Sequence, residues 1–250
     1  VSDSAGVPWE GRQFAHGTPS DDDGSAPEAL IEAIRRFRAR DAGEAEVVHA
    51  LRGSRLLVPL VAQLGDSGPG DHPLVVDKSA ELSIVTVSGP DGRNVLPAFS
   101  SVEAMARWNP KARPVPADAV RVALAAASEA TELVVLDPTS PTEFVIRRPA
   151  LWAIAQSRSW LPSYLDDGVR AEFVAAAEPE PAVASVLLAP GDPDARLAGP
   201  ELVVHLGLVP GLGRIELDAL LERLQRRWAQ SEPIAARVDS LRVQLATAGA

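Results

Sequence analysis

The chain has 250 residues, 46% of them hydrophobic and 23% charged, with a formal net charge of −10. That length supports one large core or two small ones, and the acidic balance disfavours nucleic-acid and anionic-membrane partners, whose phosphates repel it. The lack of cysteine removes disulfides, thiolate metal sites and cysteine nucleophiles, and no apolar run reaches a membrane span or a secretory core, so the expected location is cytoplasmic.

Residues 1–25 are dominated by Gly, Ser, Asp and Pro and read as a disordered tail. Within it Trp9, Arg12 and Phe14 form a short patch suited to docking on a partner or on the protein's own body. Ser25 and Glu28 have capping-box spacing around Pro27, so a helix follows, with Leu30, Ile31, Ile34 and Phe37 on one face. Arg35, Arg36, Arg38 and Arg40 fill its other face, which reads as solvated. After Gly43 a short helix carries Val47, Val48 and Leu51. Residues 54–62 are nearly all apolar and predict a buried strand. Pro59 inside it cannot donate to a ladder and points to an edge position or a bulge. Residues 63–78 read as a loop.

Residues 81–88 alternate and predict a strand, Gly89 to Gly92 a tight turn, and residues 93–99 the return strand. Ser100 and Glu103 suggest another capping box, opening a helix that stops at Asn109-Pro110. Residues 113–116 are extended, and a helix from about Ala117 presents Val120, Ala123, Leu124 and Ala127. Residues 131–136 and 143–147 predict strands, the second with Phe144 and Ile146 on one side. Pro149 opens a helix with Leu151, Trp152 and Ile154. Asp166 caps the next helix, which carries Val169 and Phe173.

Glu178-Pro-Glu-Pro181 reads as a stiff linker. Beyond it come strands at 182–189 and 201–208, an amphipathic helix with Leu217, Leu220, Leu221, Leu224 and Trp228, and a strand at 239–246. The predicted class is α+β with two domains, each a mixed sheet packed with helices: residues 26–177 and the ββαβ unit 182–250, joined by 178–181.

Several of these runs together resemble a known family. Residues 50–60, Leu96 to Ala104 with Trp108, Leu136-Asp-Pro138, Arg148 to Trp152, and Val7 to Arg12 are similar to the SseB-like family, named for enhanced serine sensitivity, in its actinobacterial form. The run Val238-Asp-Ser-Leu-Arg-Val243 is similar to that family's C-terminal domain. The resemblance implies the two-domain plan but transfers no catalytic residue.

No cofactor, metal or catalytic constellation is expected. His16, His49, His72 and His205 stand apart, and His205 alternates with Val204 and Leu206 and so faces away from them. Gly211-Leu-Gly213 lacks the rest of a phosphate-binding fingerprint and reads as a turn. Asp166 and Asp167 read as capping residues, as do Ser100 and Ser101. The candidate ligand or partner groove is formed by Phe99, Trp108, Pro110 and Pro114, an aromatic pair beside a Pro-rich corner. The expected function is non-enzymatic binding or regulation, through a protein partner or a small metabolite held in that groove or between the domains, with homo-oligomerisation left open. The alternative is an enzyme of amino-acid or sulfur metabolism working without cysteine.

Overall fold

Leu30, Ala33, Ile34 and Phe37 fall on one helical face and are buried in α1 (Glu28–Arg38). In the computed structural model, which describes residues 22–62, 82–84, 86–89, 91–128, 131 and 133–247, that face packs on α2 (Glu44–Arg52). The N-cap of α1 is Pro27 and no side chain caps it. Ser25 is drawn elsewhere: its carbonyl accepts from Arg55, which also pairs with Asp22 at 2.7 Å. Asp22 to Ser25, placed in the tail by composition, are therefore pinned to the body, and Val102 N–H donates to the Gly24 carbonyl. Residues 1–21, with Trp9, Arg12 and Phe14, lie outside the described residues, as do 63–81.

The N-terminal half builds two sheets. In the first, β1 (Arg55–Ala62) is central, flanked antiparallel by β2 (Leu82–Ile84) and by β5 (Arg113–Asp118). In the second, the order is β3 (Val87–Ser88), β4 (Asn94–Ala98), β6 (Leu133–Leu136) and β7 (Phe144–Arg147), with β4 and β6 parallel and the other pairs antiparallel. The single strand expected over 81–88 is thus two. Its first part joins β1, and its second part forms the hairpin with β4, closed by Gly89 and Gly92, where φ is +81°. A lone bridge between Leu57 and Phe99 connects the two sheets.

Pro59 occupies the central strand, not an edge. Leu57 exchanges both backbone hydrogen bonds with Phe99, so its polar groups point away from β5. Antiparallel pairs alternate in type. Pro59, two residues on and opposite Pro114, therefore sits at a non-hydrogen-bonded pair, where neither proline needs an N–H. On its other side, the pairs with β2 among the described residues run from Leu60 to Ala62.

In the four-stranded sheet β6, β7 and β4 beyond Asn94 are buried on both faces. Leu96, Ala98, Val134, Leu136, Phe144 and Ile146 face a core shared with α1, α2, α4 (Ala119–Ser128) and α5 (Arg148–Ala155). Phe37 meets Phe144 edge-on at 5.3 Å. The buried face of α4 is Ala119, Val122, Ala123 and Ala126, while Leu124 is 54% exposed. The expected face is out of phase because a helix this rich in alanine has a poorly defined apolar stripe.

Asp137 locks this half together. It is fully buried, sits at φ +45°, and its carboxylate accepts from Ser100 N–H (2.7 Å), Ser100 Oγ–H (2.6 Å) and Thr142 Oγ–H (2.8 Å). Ser100 is thereby taken from the expected capping box. The N-cap of α3 (Val102–Trp108) is Ser101, whose hydroxyl accepts from Ala104 N–H.

A second core gathers α6 (Asp167–Ala177), β8 (Val183–Pro190), β9 (Leu202–Leu208), α7 (Arg214–Gln230), α8 (Glu232–Arg237) and β10 (Leu241–Thr247). Its sheet runs β10-β9-β8, with β10 parallel and β8 antiparallel to β9, so the ββαβ order holds with α8 added. Asp166 caps α6 through Gly168 and Val169 N–H. Helix α6 packs through Val169, Phe173 and Ala177 into this core, although it precedes the Glu178–Pro181 stretch. That stretch is not bare. The Glu180 side chain is 6% exposed and pairs with Arg223 and Arg227, both at 2.8 Å. Hydrogen bonds from Arg223 and then Arg227 hold its carboxyl down at about 2.

Replacing Asp137 by alanine leaves two buried donors of Ser100 and the half-buried Thr142 hydroxyl without their acceptor. Asp137→Ala is expected to lower unfolding stability by about 3 kcal/mol, read by urea denaturation. Ser101→Ala, which removes only a helix cap, should cost about 1 kcal/mol.

Candidate functional site

The loop between β8 and β9, residues 191–200, leaves its own sheet and lies on the N-terminal half. Its neck is tight: a Cβ on Gly191 would come within 2.3 Å of the Pro200 carbonyl oxygen, and one on Gly199 within 2.6 Å of the Gly191 oxygen. Its body winds around Asp192, which is buried and accepts from the N–H groups of Arg196, Leu197 and Ala198. Ala195 and Leu197 adopt φ +47° and +58°, a left-handed conformation that non-glycine residues hold only when surroundings enforce it.

Those surroundings come from the other half. Val145 N–H donates to the Ala195 carbonyl, extending the edge of β7. Arg38 donates to the carbonyls of Asp194 and Glu143, and Arg40 to the Pro193 carbonyl and the Asp194 carboxylate. Arg38 at the end of α1 and Arg40 just beyond it, read from sequence as part of a solvated basic face, thus hold this loop.

Beneath the loop is a polar junction. Arg147 is 6% exposed and donates to Asp192 (2.7 Å), Asp239 (3.1 Å), Ser240 Oγ (3.3 Å) and the Gly199 carbonyl (2.9 Å). Arg93 reaches Asp239 from the hairpin, also at 3.1 Å. Arg148 donates to the carbonyls of Ala235 and Val238 and lies over Trp152. The runs Arg148 to Trp152 and Val238 to Val243 therefore meet across the boundary between the two cores.

Next to the junction, Tyr164 O–H donates to Glu44 at 3.2 Å, and Glu201 accepts from Asp239 N–H at 2.6 Å and Ser163 N–H at 3.4 Å. Burial raises the Glu44 carboxyl to about 7, with the Glu201 charge adding to the rise. Burial likewise raises Glu201 and Tyr164.

The loop also roofs a cleft of about 350 Å³. Its floor is the second face of the four-stranded sheet, with Val95, Pro97, Val135 and Val145. Trp108 walls one side and Leu197 covers it from the loop. The rim carries Thr139, Glu143 and Arg196. Of the residues chosen from sequence, only Trp108 lines this cleft. Phe99 is fully buried beneath Trp108, with ring centroids 5.3 Å apart. Pro110 and Pro114 are exposed and do not line it, Pro114 because it belongs to β5 in the other sheet. The sequence reading missed Leu197 and Arg196, which the fold brings from far along the chain. The available signal was the Gly191-Asp-Pro-Asp turn, where the Asp offers a carboxylate to following backbone N–H groups.

The other sequence candidates stay apart. His205 is half-buried opposite Leu187 and Gln244. Gly213 N–H is taken by Glu216 at the start of α7, and Asp167 pairs with Arg170. Among the described residues, no group of three His, Asp or Glu side chains is placed to hold a metal ion, and no helix is long and apolar enough to cross a membrane.

Removing Arg147 strands the buried carboxylate of Asp192 and leaves Asp239 with Arg93 as its cation. Arg147→Met is expected to lower stability by about 3–5 kcal/mol, and adding Asp192→Asn should restore part of the loss. Glu44 gives a pH signature. Its folded value of about 7 lies above the ordinary 4.5, so its favourable contribution is complete below 4.5 and is lost as pH rises through 7. Glu44→Gln should therefore be more stable than the parent at pH 8, by on the order of 2 kcal/mol, with the gap narrowing towards pH 5. Urea titrations at the two pH values decide it, and a constant gap would show that Glu44 ionises normally.

A family model described as the SseB protein N-terminal domain matches residues 28–153. No curated protein and no solved structure matches the chain. The matched stretch takes in both N-terminal sheets, α1 to α4, most of α5, Trp108, Asp137 and Arg147. It covers half of the chain, which belongs to the SseB family.

Proposed function

We propose that this chain is a non-enzymatic binding protein that takes a small metabolite into the cleft under Leu197, with a regulatory role in the cytoplasm. The carrying observation is that the cleft has two owners. Its floor and Trp108 come from the N-terminal half, and its roof comes from the β8–β9 loop of the second core. Small-molecule sites favour such boundaries, are mostly apolar, and begin at about this volume. We read the two cores as two domains, with α6 in the second. A bound molecule would then touch both and favour the arrangement in which the loop is seated.

A cleft of this size suits a small molecule better than an extended protein segment. The enzyme alternative rests on Glu44, Tyr164 and Glu201, a cluster in which burial makes each group a weaker acid. In that cluster Glu201 uses both carboxylate oxygens on backbone N–H groups.

A thermal-shift screen against small metabolites tests the proposal. A ligand at 100 times its Kd should stabilise the protein by roughly 2.7 kcal/mol. Trp108→Ala should abolish the shift while leaving a cooperative melt. Hits unaffected by Trp108→Ala would place binding elsewhere, and a screen with no hit would remove the reading.

A further inference from the structure

The cleft's rim holds two opposite charges that do not neutralise each other. Arg196 makes one long hydrogen bond, 3.5 Å, to the Pro141 carbonyl, and forms no ion pair among the described residues. Asp192 engages the Arg196 backbone and keeps its carboxylate for Arg147 and the loop. Glu143 accepts the Thr139 N–H on Oε2 at 2.6 Å, which fixes the side chain and leaves Oε1 without a partner among the described residues. Glu143 is likewise in no ion pair among those residues; Arg38 hydrogen-bonds its backbone carbonyl, and the Arg38 charge lies close enough to act on both Glu143 and Arg196. Below both lies the aliphatic floor with Trp108.

Either charge alone is ordinary for a surface. Together, over one apolar cleft, they match a ligand that is charged at one end only and carries both signs there. A carboxylate meets the planar fork of Arg196, an ammonium meets the open oxygen of Glu143, and an apolar body descends towards Trp108 and Leu197. A fatty acid would leave Glu143 facing a carboxylate, and a simple amine would leave Arg196 facing a cation. We propose that the cleft binds a free α-amino acid with an apolar side chain. This rests on the reading of the cleft as a binding site and adds the chemistry of its occupant.

The test is isothermal titration calorimetry of the full chain with four probes of one shape: L-phenylalanine, hydrocinnamate (no ammonium), phenethylamine (no carboxylate) and phenethyl alcohol (neither). L-phenylalanine should bind at least about tenfold more tightly than each of the others, the effect of one charge-assisted hydrogen bond. Arg196→Gln should weaken L-phenylalanine by about tenfold and leave phenethylamine unchanged. Glu143→Gln should weaken L-phenylalanine similarly and leave hydrocinnamate unchanged. Both variants should melt cooperatively, since Gln keeps the Thr139 contact and Arg196 is exposed. Equal binding of all four probes, lost in Trp108→Ala, would overturn the amino-acid head and keep the cleft as a site. Absence of binding by every probe would overturn the inference, and the site itself would then stand or fall with the wider metabolite screen.

Discussion

The Arg147 guanidinium, buried between Asp192 and Asp239, is the contact on which the arrangement of the two cores depends. Taking a charge out of water costs several kcal/mol unless geometry and hydrogen bonds compensate. Here each carboxylate meets the cation at hydrogen-bond distance, and each has further donors: three loop N–H groups for Asp192, and Arg93 and Ser240 for Asp239. A pair satisfied this fully tolerates one relative placement of its partners. Apolar packing between the cores would hold them together without specifying so narrow a register. The network therefore acts as a locating pin, and the seated loop and the cleft beneath it follow from that register.

The loop shows how strain is carried. Two non-glycine residues in left-handed backbone are unfavourable alone. They persist because Asp192 organises the backbone from inside, Val145, Arg38 and Arg40 hold it from outside, and Leu197 fills the sheet's second face. Removing any one of these supports weakens the others, which couples the cleft roof to the polar junction behind it.

Much of this was legible in the sequence, and the parts that were not share a cause. Asp166, Pro149 and the leucines of α7 act locally, so spacing identified them. Alternation likewise separated Phe144 and Ile146 from Val145. Ser100 went to Asp137 instead of a helix cap because a buried carboxylate 37 positions away competes better than a cap can. The division of 81–88 between two sheets depends on where β1 lies, which no local pattern encodes. Trp108 was recognisable as an aromatic beside a groove, but its true neighbours, Leu197 and Arg196, sit beyond four intervening strands and three α-helices. Arg147 and Asp239 read as ordinary charged residues until the fold buries them against each other.

The prolines of β5 have a consequence beyond their fit opposite β1. At 114, 116 and 118 the backbone N–H position faces outward, by the same alternation that suits Pro59, and two of those three residues are proline. The outer rim of this sheet therefore offers carbonyls but almost no donors to an approaching strand. A neighbouring molecule finds almost no donor there with which to continue the ladder, so the sheet is a terminated polymer, closed to growth by its own chemistry.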